Sequence, residues 1–182
     1  DLWILQEFKV RVFKRFEDLG IRVHLLAGNH DTYYKNLKTH IFQTENLREF
    51  KNVLIYSEPT EVKIGKYHFG MVPWIVDHSN LKLPEHCDIL AGHFEFKDFP
   101  MNSRAQLSMD GMDPRSFDRY KMILSGHYHS RSNRGNIHYI GTQYQISWGD
   151  FGEPKGFAVL NDSFEIKYIE NIITPRYLKV YI

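Results

Sequence analysis

Near the start of the chain, Leu5, Phe8, Val12, Phe16 and Leu19 recur every three or four positions, which predicts one buried face of an amphipathic helix. Lys9, Arg11, Lys14 and Arg15 fill much of the remainder, and Gly20 supplies a C-terminal cap. At Ile21 the pattern changes to a short apolar run that ends at Ala27, and two similar runs follow, Cys87 to Ala91 and Lys121 to Ser125. Short runs rich in Val, Ile and Leu predict strands covered on both faces, as in parallel sheets. A helix that leads into a parallel strand implies an earlier strand, here expected before residue 1, so the chain reads as a fragment.

Other segments predict a mixed α/β molecule. Val53 to Tyr56, Glu61 to Ile64 and Tyr67 to Val72 are β-like, with Gly65-Lys66 as a hairpin turn between the last two. Thr32 to Thr44 has no clear period and reads as a loop, followed by a short helix near Glu45 to Phe50. Pro73 and Trp74 break the strand before them. Asp113 is a predicted N-cap, with Pro114 in the first turn of a short helix that runs to Tyr120. Ile137 to Ile140, Gly156 to Leu160 and Phe164 to Ile169 read as antiparallel strands, with Asn161-Asp162 as a turn. Residues 1–170 form the expected core unit. Asn171 to Ile182, with Pro175, leaves the core pattern and would open a second element.

Composition narrows the function classes only slightly. At 182 residues, 42% hydrophobic and 15% aromatic, the chain has enough apolar material for one globular domain. Its formal charge of +1 gives no support to a nucleic-acid partner, although a local basic surface is compatible with it. Cys87 is the single cysteine, so no internal disulfide forms, and a reducing compartment fits. With no apolar run near the roughly 20 residues of a membrane span and no signal-peptide pattern, no membrane partner and a cytoplasmic location are expected.

The chemistry is concentrated at the ends of the three apolar runs, where Gly28-Asn29-His30-Asp31, Gly92-His93 and Gly126-His127-Tyr128-His129 stand. Glycine there is expected to let the backbone turn sharply. Open α/β sheets gather ligands at such carboxyl ends, so the three clusters can converge. Imidazole and amide oxygen suit Mn²⁺, Zn²⁺ or Fe²⁺. Neighbours in a strand point to opposite faces, so His127 and His129, two apart, are expected to face one cavity while Tyr128 faces away. Two ions about 3.5–4 Å apart with a bridging hydroxide would support in-line displacement at phosphorus, so the reaction class is phosphoester hydrolysis. A carboxylate normally bridges such ions, and no aspartate stands at a strand end upstream of Asn29.

These three clusters resemble the third, fourth and fifth motifs of the calcineurin-like metallophosphoesterase superfamily. Val72-Pro73-Trp74, Ala91-Gly92-His93-Phe94-Glu95 and Tyr139-Ile140-Gly141-Thr142 resemble its DNA-repair nuclease (SbcD-type) branch, nearest the recombination endonuclease subunits of T-even-like bacteriophages. The resemblance implies a four-layer α/β/β/α sandwich lacking its first strand or strands, with residues 171–182 starting a DNA-contacting cap. It implies that Asn29, His93 and His127 bind one ion, that His129 binds a second, and that His30 is the catalytic histidine. Asp31, which would orient His30, and Tyr33 and Arg131 are its weaker candidates for substrate contact. Two divalent ions are implied, Mn²⁺ first and Mg²⁺, Fe²⁺ or Zn²⁺ as alternatives. The implied partners are DNA, an SbcC-like coiled-coil ATPase and a second copy of the chain. The family's Asp-x-His and Gly-Asp motifs are missing, so this polypeptide alone is expected to be inactive. Two other readings stay open: a phosphatase or small-molecule phosphodiesterase of the same superfamily, and a non-catalytic fragment that only binds a partner.

Overall fold

The computed structural model describes residues 2–32, 43–75, 81–102, 104 and 106–180. The N-terminal helix forms where predicted, but as an α-helix Leu2–Phe8 (α1), a π-helical turn Lys9–Phe13 and a second α-helical segment Lys14–Asp18 (α2). The Lys14 N–H reaches back five residues to the Lys9 carbonyl, and this wider turn rotates the apolar face. Phe13, outside the regular spacing, is therefore the buried residue at 4% exposure, while Phe8 and Leu19 remain 49% and 70% exposed. Phe8 and Phe13 meet edge to face at 5.2 Å. Gly20, at φ +66°, ends the helix as expected.

Ten strands follow among the described residues: Val23–Leu26 (β1), Val53–Tyr56 (β2), Thr60–Ile64 (β3), Tyr67–Val72 (β4), Ile89–Gly92 (β5), Met122–Ser125 (β6), Ser132–Arg134 (β7), Ile137–Tyr139 (β8), Gly156–Leu160 (β9) and Ile166–Glu170 (β10). The molecule is mixed α/β, as expected, with a six-stranded mixed sheet of order β3-β4-β5-β6-β8-β7 and few helices. In that sheet β4, β5, β6 and β8 run parallel, and β3 and β7 are antiparallel at its edges. Two small sheets accompany it, the parallel pair β1-β2 and the antiparallel hairpin β9-β10.

Several boundaries differ from expectation for local reasons. β8 pairs parallel with β6 rather than being purely antiparallel; its antiparallel neighbour is β7, whose polar Ser-Asn-Arg sequence gives no strand signal. β10 begins at Ile166 because Phe164 takes a left-handed φ of +64° in the turn. The helix expected near residues 45–50 is a 3-10 helix Gln43–Leu47, and most of the predicted loop before it lies outside the described residues. Asp113 is the N-cap expected, its carboxylate accepting from the Arg115 N–H, but the 3-10 helix stops at Phe117. No helix among the described residues is long and apolar enough to cross a membrane.

Two apolar clusters hold these elements. Phe13, Leu47, Phe50 and Val53 pack the N-terminal helix on β1-β2. The larger cluster joins Val72, Leu90 and Ile123 of the main sheet to Phe94, Phe96, Phe99, Phe117, Tyr128 and Tyr139. Its tyrosines also satisfy the Phe94 and Phe96 backbone groups just past β5. The Tyr139 hydroxyl accepts from the Phe96 N–H at 3.0 Å and donates to the Phe94 carbonyl at 2.9 Å, and the Tyr128 hydroxyl donates to the Phe96 carbonyl at 2.9 Å. Tyr139→Phe keeps the ring, strands the buried Phe96 N–H and leaves the Phe94 carbonyl only the Ser125 hydroxyl at 3.4 Å, so it is expected to cost about 1–3 kcal/mol in urea unfolding; a loss near zero would mean that these bonds are replaced by water.

Candidate metal centre

Strand register decides what meets at the carboxyl edge of the main sheet. Val72, Gly92, Ser125 and Tyr139 stand side by side in β4, β5, β6 and β8. The ladder continues one step further, with the His93 N–H donating to the Val72 carbonyl at 3.1 Å and the Gly126 N–H to the Gly92 carbonyl at 2.9 Å. The Trp74 N–H donates to the Ala27 carbonyl at 2.8 Å and ties the end of β1 to the same edge. The turn after β1 is closed by the Asp31 carboxylate, which accepts from the Gly28 N–H at 2.8 Å, and by the Thr32 hydroxyl, which donates to the Asn29 carbonyl at 2.9 Å. Asn29 is thereby held buried, at 5% exposure, and His30 points outward.

Three of the candidate ligands come together. The Asn29 Oδ1 and His93 Nε2 atoms hydrogen-bond at 2.9 Å, with the ring N–H donating. The His93 and His127 rings meet edge to face at 5.2 Å, and Trp74 stacks on His127 at 5.2 Å. Glu95 brings a carboxylate oxygen within 4.0 Å of His127 Nε2. His129 makes different contacts: its Nδ1 lies 3.5 Å from Asp150 Oδ1.

The glycines act by a different route from the one expected. None of Gly28, Gly92 and Gly126 has positive φ. A Cβ on Gly28 would lie 2.8 Å from His93 Cε1, one on Gly126 3.0 Å from His93 Nδ1, and one on Gly92 2.2 Å from the Phe94 ring. They are glycines because two of them make room for the His93 ring and the third for Phe94. The sharp turn is made by His127 itself, at φ +83°, a conformation that costs a non-glycine residue on the order of 1 kcal/mol or more. The strand therefore does not continue through His127, and face alternation does not explain where His127 and His129 point. Tyr128 is nonetheless buried in the core.

Of the weaker candidates, Tyr33 lies outside the described residues. Arg131 is not a solvated surface arginine: its guanidinium lies 4.6 Å over the Tyr168 ring, with Nε and Nη2 buried and without acceptors. Glu95 closes the Ala91-to-Glu95 segment at the end of β5 but has no role from sequence alone, and Asp150 and Lys155 belong to no strand-end motif.

Burial, then the charges of His127 and His30, hold the His93 imidazole pKa down at about 3. It is neutral near pH 7, so moving its one ring proton from Nε2 to Nδ1 would free a lone pair at Nε2 for a metal. Two donors each about 2.1 Å from an octahedral ion lie about 3.0 Å apart, close to the Asn29–His93 separation, so this pair fits a divalent ion with little movement. No group of three or more His, Cys, Asp or Glu among the described residues is placed to hold a metal; the fit rests on an amide oxygen and two imidazoles.

No protein-family model matches the chain. Over 92% of its length it is 30% identical to Exonuclease subunit 1 of Enterobacteria phage T4. Over 67% it is 30% identical to the DNA double-strand break repair protein Mre11 of Sulfurisphaera tokodaii. Over 75% it is 28% identical to a protein of Invertebrate iridescent virus 6 named as a candidate phosphoesterase, 244L. The chain is a relative of the metallophosphoesterase DNA-repair nucleases. It spans 51%, 33% and 50% of those three relatives, in the order given.

A testable consequence concerns pH. The folded His93 pKa lies below the ordinary value of 6.5, so between about pH 6.5 and 3 the unfolded chain binds the extra proton. Stability is complete above pH 6.5 and falls with pH below it, by at most about 1.4 kcal/mol per pH unit from this one group. In chelator-treated protein, the stability difference between wild type and His93→Gln is expected to shift against the wild type as pH falls from 7 to 4. Parallel pH profiles for the two proteins would remove His93 from the explanation.

Proposed function

We propose that this chain carries part of a divalent-metal-dependent phosphodiesterase site that hydrolyses DNA, in an exonuclease or endonuclease subunit of recombination and repair. The carrying observation is the convergence of Asn29, His93 and His127 at one sheet edge, with 2.9 Å between Asn29 Oδ1 and His93 Nε2. The similarity to a phage exonuclease subunit and to a DNA double-strand break repair protein supports DNA as substrate.

In this reading Asn29 Oδ1, His93 Nε2 and His127 hold one ion, and His129 serves a second. When bound, such ions supply polarisation of a phosphoryl oxygen and a nucleophile at neutral pH. Manganese is the first candidate. His93 stays a neutral donor because it is buried. Trp74, stacked on His127, fixes that ring and screens one of its faces from water. His30 stands at the exposed tip of the turn, where its imidazole would donate a proton to the leaving oxygen or hydrogen-bond the phosphate. Asp31 sets the position of His30 through the turn it closes. Residues 171–182 would begin a DNA-contacting cap, and an SbcC-like ATPase and a second copy of the chain are proposed partners. The compartment is cytoplasmic in the same proposal. The trio brings no carboxylate, and a two-ion site needs carboxylates, so this chain alone is expected to bind metal weakly and to turn over little.

The test compares this chain with the longest reading frame that contains it, in Mn²⁺, on linear duplex DNA and on a nitrophenyl phosphodiester. The longer polypeptide is expected to degrade duplex ends, His30→Gln to lower kcat by about 100-fold or more with Mn²⁺ affinity kept, and His93→Ala to lose Mn²⁺ binding. Turnover of the nitrophenyl ester without DNA cleavage would favour the small-molecule phosphodiesterase reading. An unchanged rate in His30→Gln would remove its role as acid.

A further inference from the structure

A second polar cluster, buried behind His129, takes no part in the Asn29–His93–His127 group. Asp150 ends the 3-10 helix Trp148–Asp150 and has 0% exposure. Its Oδ2 accepts from the Ile146 N–H at 3.1 Å, the Ser147 N–H at 2.9 Å and the Ser147 hydroxyl at 3.0 Å. Its Oδ1 faces Lys155 Nζ at 3.0 Å and His129 Nδ1 at 3.5 Å. Lys155, with a side chain only 5% exposed, uses its three ammonium protons on three acceptors: the His129 carbonyl at 2.8 Å, Asp150 Oδ1 and Glu153 Oε2 at 2.7 Å. The His129 backbone is pinned from the other side, its N–H donating to the Met101 carbonyl at 2.8 Å and its carbonyl accepting from the Thr142 N–H at 3.1 Å.

We propose that Asp150, locked in place by Lys155, is a positioning residue that fixes the ring orientation and tautomer of His129, holding the proton on Nδ1 and leaving Nε2 as the donor atom. The consequence for metal binding rests on the reading of His129 as a ligand; the tautomer does not. Two carboxylates, Asp150 and Glu153, share one ammonium in this cluster, so its remaining charge is negative. A bare lone pair on Nδ1 would face the Asp150 oxygen across 3.5 Å and repel it, whereas an N–H there is attracted. Nδ1 itself is buried and makes no hydrogen bond, the Asp150 oxygen at 3.5 Å being the carboxylate it faces, while the side chain keeps 22% exposure; the accessible part of the ring is therefore not the Nδ1 edge. A carboxylate that receives the far N–H of a metal-binding imidazole is a recurrent means of fixing its tautomer and raising its basicity. A loop staple with no influence on His129 would look similar in its backbone bonds but would leave the ring proton free to choose either nitrogen.

The experiment is long-range ¹H–¹⁵N NMR of the imidazoles in this chain. Wild-type His129 is expected as the Nδ1–H tautomer. In Asp150→Asn the amide oxygen takes the Oδ2 place, where two backbone N–H groups require an acceptor, which turns the NH₂ toward Nδ1 and drives the proton to Nε2. With Zn²⁺ alone as probe, the His129 resonances are expected to titrate about 10–100-fold more weakly in the variant than in wild type. An Nε2–H tautomer in wild type, or an unchanged tautomer in Asp150→Asn, overturns the proposal, and the wild-type spectrum decides even if the variant does not fold. Zn²⁺ that leaves wild-type His129 unmoved while the tautomer is Nδ1–H supports the positioning role and refutes the ligand reading.

Discussion

The parallel register of β4, β5, β6 and β8 is the constraint on which the rest depends. Because Val72, Gly92, Ser125 and Tyr139 are level, the residues that follow them leave the sheet at one height and meet. A slip of one residue in any of these strands would turn every side chain on it to the other face and separate His93 from His127. The aromatic core enforces the register from beneath: Tyr139 in β8 bonds to Phe94 and Phe96 just past β5, so the end of one strand is measured against another two places away.

The candidate centre carries local costs that this scaffold offsets. His127 holds a left-handed backbone, and His93 is buried enough to stay neutral well below the usual histidine range. Strain and desolvation of this kind persist only where surrounding structure over-determines them. Behind His129 the opposite solution is used: full charges are buried, and for Asp150 the hydrogen bonds from Lys155 and Ser147 outweigh the burial that would raise its carboxyl pKa, leaving it below the ordinary value. One edge of the molecule thus combines neutral donors with a buried anionic cluster, each stabilised by different elements.

Much of this was readable from residue patterns. The short apolar strands, the Gly65-Lys66 hairpin and the Asp113 cap follow from periodicity and turn chemistry, and three polar clusters at strand ends pointed to one edge. What escaped had non-local or subtle causes. The π turn that buries Phe13 inserts no recognisable residue. β7 is polar because it is an edge strand. The glycines were noticed for the wrong reason, since room for the His93 and Phe94 rings is a tertiary property. Asp150 and Lys155 sit in a segment without period and act on His129, which is distant in sequence, so no local signal could pair them.

The most direct measurement is a crystal structure of this chain with Mn²⁺, its ions located by anomalous scattering. The account expects an anomalous peak bonded to Asn29 Oδ1, His93 Nε2 and a nitrogen of His127, with the Asn29–His93 hydrogen bond replaced by two metal bonds. Saturating Mn²⁺ with no peak at that edge, and Asn29 still hydrogen-bonded to His93, would contradict it.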